Sequence, residues 1–299
     1  VEMHANQLVV TRELVSELMR LQFPSWAALP VERVAGQGTV NAIFRIGPDL
    51  AARLPLQASD PIAAWEALRV EAAASAEFAE ITDCPAPAPI GIGSPGGGYP
   101  MPWLLQTWVP GNIASPRSAD NGDALAADVV ALIHQLRMAD TRRRPFSGRG
   151  RGGALKSHDE WMERCFRESE GLLDTVRARE LWSWFRELTD AQTLVMSHTD
   201  LIPPNLLVSD GRLVGVLDTG GSSPADPALD LVVAWHLFDD GPRQRIRSAL
   251  NCDPTEWARS AAWAFHQAMG LVWYYEKSNP GMSALGRSTL DRILTATLD

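Results

Sequence analysis

Ser197-His198-Thr199-Asp200-Leu201-Ile202-Pro203-Pro204-Asn205, with Val216-Leu217-Asp218-Thr219-Gly220 a few residues on, is the stretch that decides this chain. Between the two lie Leu206-Leu207-Val208 and Leu213-Val214-Gly215-Val216-Leu217, short apolar runs separated by Ser209-Asp210-Gly211. Asp-Gly takes positive φ readily, so the runs read as a β-hairpin. Asn205 then stands just before the first strand and Asp218 just after the second, both at the open end. Asp200 precedes Asn205 across a turn stiffened by Pro203 and Pro204.

The residue types suit one chemistry. Magnesium takes hard oxygen ligands and keeps waters and substrate phosphates in its shell, so one carboxylate and one amide oxygen suffice. A further carboxylate off the metal can hold a hydroxyl and take its proton. A lone Asp-x4-Asn is ordinary turn chemistry. The order HxDxxxxN, hairpin, DxG is far more restrictive.

The segment from His198 to Trp235 resembles the catalytic core of the aminoglycoside phosphotransferase family. The family's pattern is His-Gly-Asp-x-x-x-x-Asn, then Ile-Asp-Phe/Trp-Gly, then Asp-Pro-x-x-Asp-Leu. This chain has His198-Thr199-Asp200, Asn205, Asp218-Thr219-Gly220 and Asp226-Pro227-Ala228-Leu229-Asp230-Leu231. The resemblance implies an α+β, bilobal, protein-kinase-like fold: an N-terminal lobe with an antiparallel sheet and a helix, and a larger, mainly helical C-terminal lobe. It implies Asp200 as catalytic base, Asn205 and Asp218 as Mg²⁺ ligands, and a bracing role for His198 and Asp230. Thr199 replaces a small Gly and Thr219 an aromatic; neither change removes a ligand.

At 299 residues the chain is long enough for two lobes. The boundary is expected at Pro110-Gly111, giving a nucleotide-binding lobe over 1–110 and a catalytic and acceptor-binding lobe over 111–299. There is no run of eighteen apolar residues and no cationic–apolar leader, so neither a membrane partner nor export is expected, and the location read is cytoplasmic. Cys84, Cys165 and Cys252 are widely spaced, with no zinc or disulfide pattern. The net charge of −9 disfavours nucleic acid and is compatible with steering a cationic small molecule. Arg142-Arg143-Arg144 and Arg149-Gly150-Arg151, among glycines, read as a mobile loop.

Toward the N-terminus, residues 8–22 read as a helix ended by Pro24. A small turn with Gly38 and Thr39 precedes a β-rich run and fits a nucleotide flap. Residues 49–55 read as a strand carrying Arg53, in the place where kinases put a phosphate-gripping Lys; Arg grips phosphate bidentately. The helix expected over 61–79 offers Glu71 as the partner of Arg53, with Glu66 as the alternative. Gly91-Ile92-Gly93-Ser94-Pro95-Gly96 satisfies GxGxxG, but Tyr99-Pro100-Met101-Pro102 soon afterwards cannot open a helix, so it reads as a tight loop between strands. Residues 103–111 read as a strand running into a turn. This place resembles the family's hinge, with adenine against the main chain of Gln106, Thr107, Trp108 and Val109.

From Gly122 the pattern turns helical, with Leu125, Val129, Leu132, Ile133 and Leu136 on one face and His134 read as a packed or capping residue. Two helices are expected over 157–190, and helical runs over 228–238, 243–250 and 254–277. His158, Asp159, Glu163 and Asp174 in the first group, and Trp263, His266, Trp273, Tyr274 and Glu276 in the second, are candidates for the acceptor site. Together these features read as an ATP- or GTP-dependent kinase of a small hydroxylated acceptor, acting as a monomer or homodimer. The resemblance implies an antibiotic acceptor, an aminoglycoside first, then a macrolide, nucleoside or peptide antibiotic. The alternatives are a metabolic kinase of choline, homoserine or a sugar, and a kinase-like binding protein that retains Asp200, Asn205 and Asp218 without turnover.

Overall fold

A computed structural model of the chain describes residues 7–34, 40–116, 118, 121–148 and 150–297. Gly38, Thr39 and Arg149 lie outside the described residues. The chain divides into two compact units. The first comprises Val1–Glu80, Pro85–Pro110 and Asp218–Gly220, the second Ile81–Cys84, Gly111–Leu217 and Gly221–Asp299.

In the first unit, helix α1 (Arg12–Gln22) starts where Thr11 caps it, the hydroxyl accepting from Leu14 N at 3.2 Å, and it stops at Phe23 before Pro24. The expected start at residue 8 shifts because Leu8 is extended, its N–H donating to Leu56 O at 2.8 Å; the β-branched Val9 and Val10 favour that form. A five-stranded sheet follows from β1 (Val31–Arg33), β2 (Asn41–Ile46), β3 (Leu50–Pro55), β4 (Pro89–Gly93) and β5 (Trp103–Thr107), in the order β1-β2-β3-β5-β4 and antiparallel throughout. Ala42, Phe44 and Ile46 alternate onto one face, where they join Ala52, Leu54, Trp103 and Leu105 and the Val15, Leu18 and Met19 side of α1 in one core. Because Ala52 and Leu54 take that core face, Arg53 between them is turned to the other. Gly91 and Gly93 lie in β4 itself, not in the loop expected there. A Cβ on Gly93 would come within 2.2 Å of the Trp103 ring, so only glycine lets this strand pass. Helix α2 (Pro61–Ile81) carries Glu71.

In the second unit the hairpin forms as the sequence predicts. Strands β8 (Leu206–Ser209) and β9 (Arg212–Val216) pair antiparallel across Asp210 and Gly211 at φ 50° and 69°, and β6 (Asn112–Ile113) adds to β8. A second small pairing joins β7 (Val195–Ser197) to β10 (Ser223–Ala225). Helix α3 (Asp123–Met138) buries Leu125, Val129, Leu132, Ile133 and Leu136 as expected, but His134 is exposed mid-helix and neither packs nor caps. Helices α4 (Asp159–Glu168), α5 (Thr175–Phe185), α6 (Val232–Leu237), α7 (Asp240–Ala249) and α8 (Pro254–Tyr274) follow. The last helix, α9 (Pro280–Thr295), is absent from the expectation, although Asn279 as cap, Pro280 at the first turn and Leu285, Leu290 and Ile293 at helical spacing all signal it.

The Arg/Gly segment is docked rather than free over its last residues. Gly152 O accepts from Asp226 N at 2.9 Å, and a Cβ on Gly152, at φ 107°, would lie 2.7 Å from Ala225 Cβ. Arg144 donates to Thr141 O at 3.0 Å. The three cysteines are free, and burial pushes the Cys84 thiol up to about 12 and those of Cys165 and Cys252 up to about 11. Among the described residues no helix is long and apolar enough to cross a membrane.

Candidate active site

The HxDxxxxN loop is tied to one buried carboxylate. Asp230, 3% exposed, accepts from Ser197 Oγ at 2.8 Å, from His198 N at 3.1 Å and from Thr199 N at 3.3 Å. Burial pushes its carboxyl above the ordinary range, while the nearby His198 and these donors pull the other way. Ser197 Oγ also accepts from Thr199 N at 2.9 Å, so a single hydroxyl relays between loop and carboxylate. His198 is fully buried, with Nε2 2.8 Å from Leu217 O and Nδ1 receiving Asp200 N–H at 3.3 Å. A carbonyl can only accept, so the ring carries its hydrogen on Nε2. His198 thus joins the loop to the end of the hairpin, one residue before Asp218.

Thr199 stands at φ 71°, a left-handed conformation that β-branched residues avoid, and its Oγ1 donates to Gly221 O at 3.2 Å. This is a backbone geometry that a glycine adopts without steric cost. Asn205 turns its amide nitrogen to Asp200, 2.9 Å from the main-chain O and 3.3 Å from Oδ2. Its amide oxygen therefore points away from that carboxylate, available as a hard ligand. Asp200 Oδ1 accepts from Arg151 Nη2 at 2.5 Å and from Gln267 Nε2 at 3.0 Å.

In the first unit Arg53 Nη2 lies 3.3 Å from Asp218 Oδ1, and Arg53 is paired with Asp218 rather than with Glu71. Burial pushes the Glu71 carboxyl up; the Arg53 charge opposes this and Asp218 adds to it. Asp218 is itself left-handed at φ 59°. Along β5 and beyond, Thr107 N donates to Ala88 O at 2.8 Å and Trp108 N to Asp49 O at 2.7 Å, so neither N–H is open to a base. Gln106 pairs with Ala51 and Pro89, and Trp108 lies 5.3 Å from the Arg45 guanidinium.

The candidate acceptor residues do not form one set. Asp159 accepts from Trp182 Nε1 at 2.9 Å and from Arg186 at 2.6 Å, and the Arg186 bonds hold its carboxyl below the usual range. Glu163 is paired with Arg179, and Asp174 caps α5 by accepting from Arg177 N at 3.1 Å. His266 is buried and its ring lies 4.5 Å from His158 and 6.1 Å from Trp263. Burial drives His266 well below the ordinary histidine range, and its two ring nitrogens lack hydrogen-bond partners among the described residues. Trp273 sits 6.0 Å from Trp161, with Arg164 over its ring at 5.2 Å; Glu276 and Tyr274 are exposed.

Several neighbours of the site escaped the sequence reading. Arg151 was legible only as part of a basic run. Gln267 had a signal in being a polar residue inside the apolar run Ala261–Gly270. Asp226 is quoted in the motif without a role; it is 1% exposed and takes Arg259, Trp263 Nε1 at 2.7 Å and Ala228 N at 3.0 Å. Among the described residues no three His, Cys, Asp or Glu side chains gather as a metal cluster.

Aminoglycoside 3'-phosphotransferase of Escherichia coli is 28% identical over 149 residues, 46% of this chain and 53% of that protein, so the chain spans about half the length of this curated relative. The GDP complex of wild-type aminoglycoside 2'-phosphotransferase-IIIa superposes with a TM-score of 0.72 at 16% identity, over 95% of this chain and 99% of that one. The macrolide 2'-phosphotransferase of Brachybacterium faecium does so with a TM-score of 0.63 at 18% identity, over 92% and 98%. At those identities the two structures speak for the α+β, kinase-like fold. The family model described as phosphotransferase enzyme family matches residues 31–263, which take in the Arg53 strand, the HxDxxxxN loop, the hairpin and Asp230. The chain belongs to the phosphotransferase enzyme family.

Proposed function

We propose that the protein transfers the γ-phosphate of ATP or GTP to a hydroxyl of a small molecule, an antibiotic first of all. Asp200 accepts the proton of the acceptor hydroxyl; the acceptor oxygen bonds to the γ-phosphorus, and the bond from that phosphorus to the bridging oxygen breaks, leaving ADP or GDP. Arg53 takes the phosphates in a charge-assisted grip. Asn205 and Asp218 supply one amide and one carboxylate oxygen, a donor set that suits Mg²⁺, whose chemistry would be to neutralise phosphate charge. The main chain of Gln106 to Val109 serves the base, with the N–H groups of Thr107 and Trp108 excluded from that task. Residues 1–110 then act as the nucleotide lobe and 111–299 as the catalytic and acceptor lobe, in the cytoplasm, as a monomer or homodimer.

The observation that carries this reading is the knot on Asp230. It holds Ser197, His198 and Thr199 by three hydrogen bonds and so fixes the backbone that presents Asp200. The test is to incubate the protein with MgCl₂, ATP or GTP and kanamycin, gentamicin, streptomycin or erythromycin, and to look by mass spectrometry for one added phosphate. Asp200→Asn should lower turnover by about 10²–10⁴-fold. If none of these gains phosphate, and choline, homoserine and sugars do, the metabolic alternative stands. If no acceptor reacts while Mg·ATP or Mg·GTP binds, the protein is a binding module.

A further inference from the structure

We propose that Arg151 and Gln267 are positioning residues that clamp one oxygen of Asp200 and so select the other, Oδ2, as the atom that takes the acceptor proton. This rests on the reading of Asp200 as base. An Asp carboxylate is broad and roughly two-fold about its last torsion, so an unrestrained Asp200 would offer its two oxygens alternately. Here Oδ1 receives Arg151 Nη2 at 2.5 Å and Gln267 Nε2 at 3.0 Å, whereas among the described residues Oδ2 receives only Asn205 Nδ2, at 3.3 Å. The oxygen with spare acceptor capacity is Oδ2.

Both clamp arms are anchored from behind. Gln267 is 7% exposed, and its Oε1 lies 3.0 Å from His236 Nε2. His236 is fully buried, with Nδ1 2.8 Å from the hydroxyl of buried Thr289. An amide oxygen only accepts, so His236 donates from Nε2. Turning the Gln267 amide over would set its oxygen against Asp200 Oδ1, so the contact with the carboxylate selects the orientation in which the NH₂ donates to it. Arg151 is anchored through its neighbour, Gly152, whose carbonyl accepts from Asp226 N at 2.9 Å. A chain of hydrogen bonds thus runs from the partly exposed Asp200 through buried Gln267, His236 and Thr289 to α9, and the Arg/Gly segment closes the other side.

Misplacing a reacting group by about 1 Å can cost 10²-fold in rate. The test compares Arg151→Met, Arg151→Lys, Gln267→Met and Asp200→Asn, following release of phosphate from Mg·ATP and Mg·GTP with water as acceptor, together with a crystal structure of the Arg151→Met/Gln267→Met double variant. Each Met variant is expected to lose about 10²-fold in kcat with nucleotide KM within two-fold of wild type. Arg151→Lys, which keeps a charged donor, should recover part of that loss, and the double variant should show Asp200 in a second orientation. The clamp is overturned if Asp200→Asn is inactive while both Met variants keep wild-type kcat, or if the double variant leaves Asp200 oriented as before. The crystal structure decides the matter even where turnover is too low to follow. An Asp200→Asn variant as fast as wild type would instead overturn the reading of the base, and the clamp with it.

Discussion

Thr199 holds a left-handed backbone at φ 71° while its hydroxyl donates to Gly221 O at 3.2 Å, so strain and restraint meet in one residue. A non-glycine residue in this region costs about 1–2 kcal/mol, and a hydrogen bond of this kind returns about 1 kcal/mol. Thr199→Gly removes both but adds about 0.5–1 kcal/mol of backbone entropy to the unfolded chain, so it should leave stability within about 1 kcal/mol of wild type. Thr199→Val keeps the strain and loses the bond, and should cost about 1–2 kcal/mol. Urea unfolding of the three proteins checks this; a valine variant as stable as wild type, beside a glycine variant weaker by more than about 1 kcal/mol, contradicts it.

Variants at Arg53 test nucleotide binding apart from chemistry. The Arg53 guanidinium contacts Asp218 at 3.3 Å, and Glu71 feels both charges. If Arg53 grips phosphate, Arg53→Ala should weaken Mg·ATP or Mg·GTP binding by about 10–100-fold, the worth of a charged hydrogen bond. Arg53→Lys should fall between, since Lys keeps the charge without the fork. Isothermal titration calorimetry reads this directly. An Arg53→Ala variant that binds as tightly as wild type leaves the guanidinium as a strand-end charge paired with Asp218.

Acid should unfold the protein through its buried histidines. Burial holds His236 down at about 4, against 6.5 in the unfolded chain, and holds His266 well below its ordinary range. The unfolded chain therefore takes up protons first as pH falls. The stability that His236 preserves is complete above about pH 6.5 and is lost as pH falls through that value toward 4. The loss amounts to about 2 kcal/mol at pH 5 and about 3 kcal/mol once below both values. His236→Gln should flatten the slope of melting temperature against pH over this window, at some cost in stability at neutral pH. An unchanged slope would assign the acid sensitivity to other groups.

How much of this was legible in the chain depends on range. The hairpin was, because Asp210 and Gly211 encode a turn within four residues and the flanking runs are apolar. Strands β2, β3 and β5 were legible, since Ala42, Phe44 and Ile46 alternate in the first of them, whereas β1 and the glycine-bearing β4 were not. Helix α9 was legible too, with ordinary capping signals at Asn279 and Pro280. The environment of Asp200 was not legible. Arg151 and Gln267 lie 49 and 67 residues away along the chain, and nothing local marks either as its neighbour. The acids of α4 looked available in sequence because their partners lie elsewhere, Arg179 on α5 and Arg186 at its C-terminal cap. Motif spacing reports local geometry, whereas occupancy of a carboxylate is a long-range fact.

The Asp226–Arg259 pair shows the same limit and yields the largest expected stability effect. Arg259 and Asp226 side chains are 3% and 2% exposed, and Trp263 Nε1 adds a third partner at 2.7 Å. Two buried charges offset each other's desolvation only while both remain. Asp226→Ala leaves the guanidinium, the indole N–H and the Ala228 N–H facing an empty acceptor position, and should cost about 3–5 kcal/mol. Trp263→Phe removes one neutral donor and should cost about 1 kcal/mol from the bond, plus what the smaller ring loses in packing. Replacing both charges, Asp226→Leu with Arg259→Met, should be less harmful than Asp226→Ala alone, because no unpaired charge is left behind. Chemical unfolding of the set measures this. A double variant weaker than Asp226→Ala would mean that the pair contributes net stability in its own right and does not merely cancel its own desolvation.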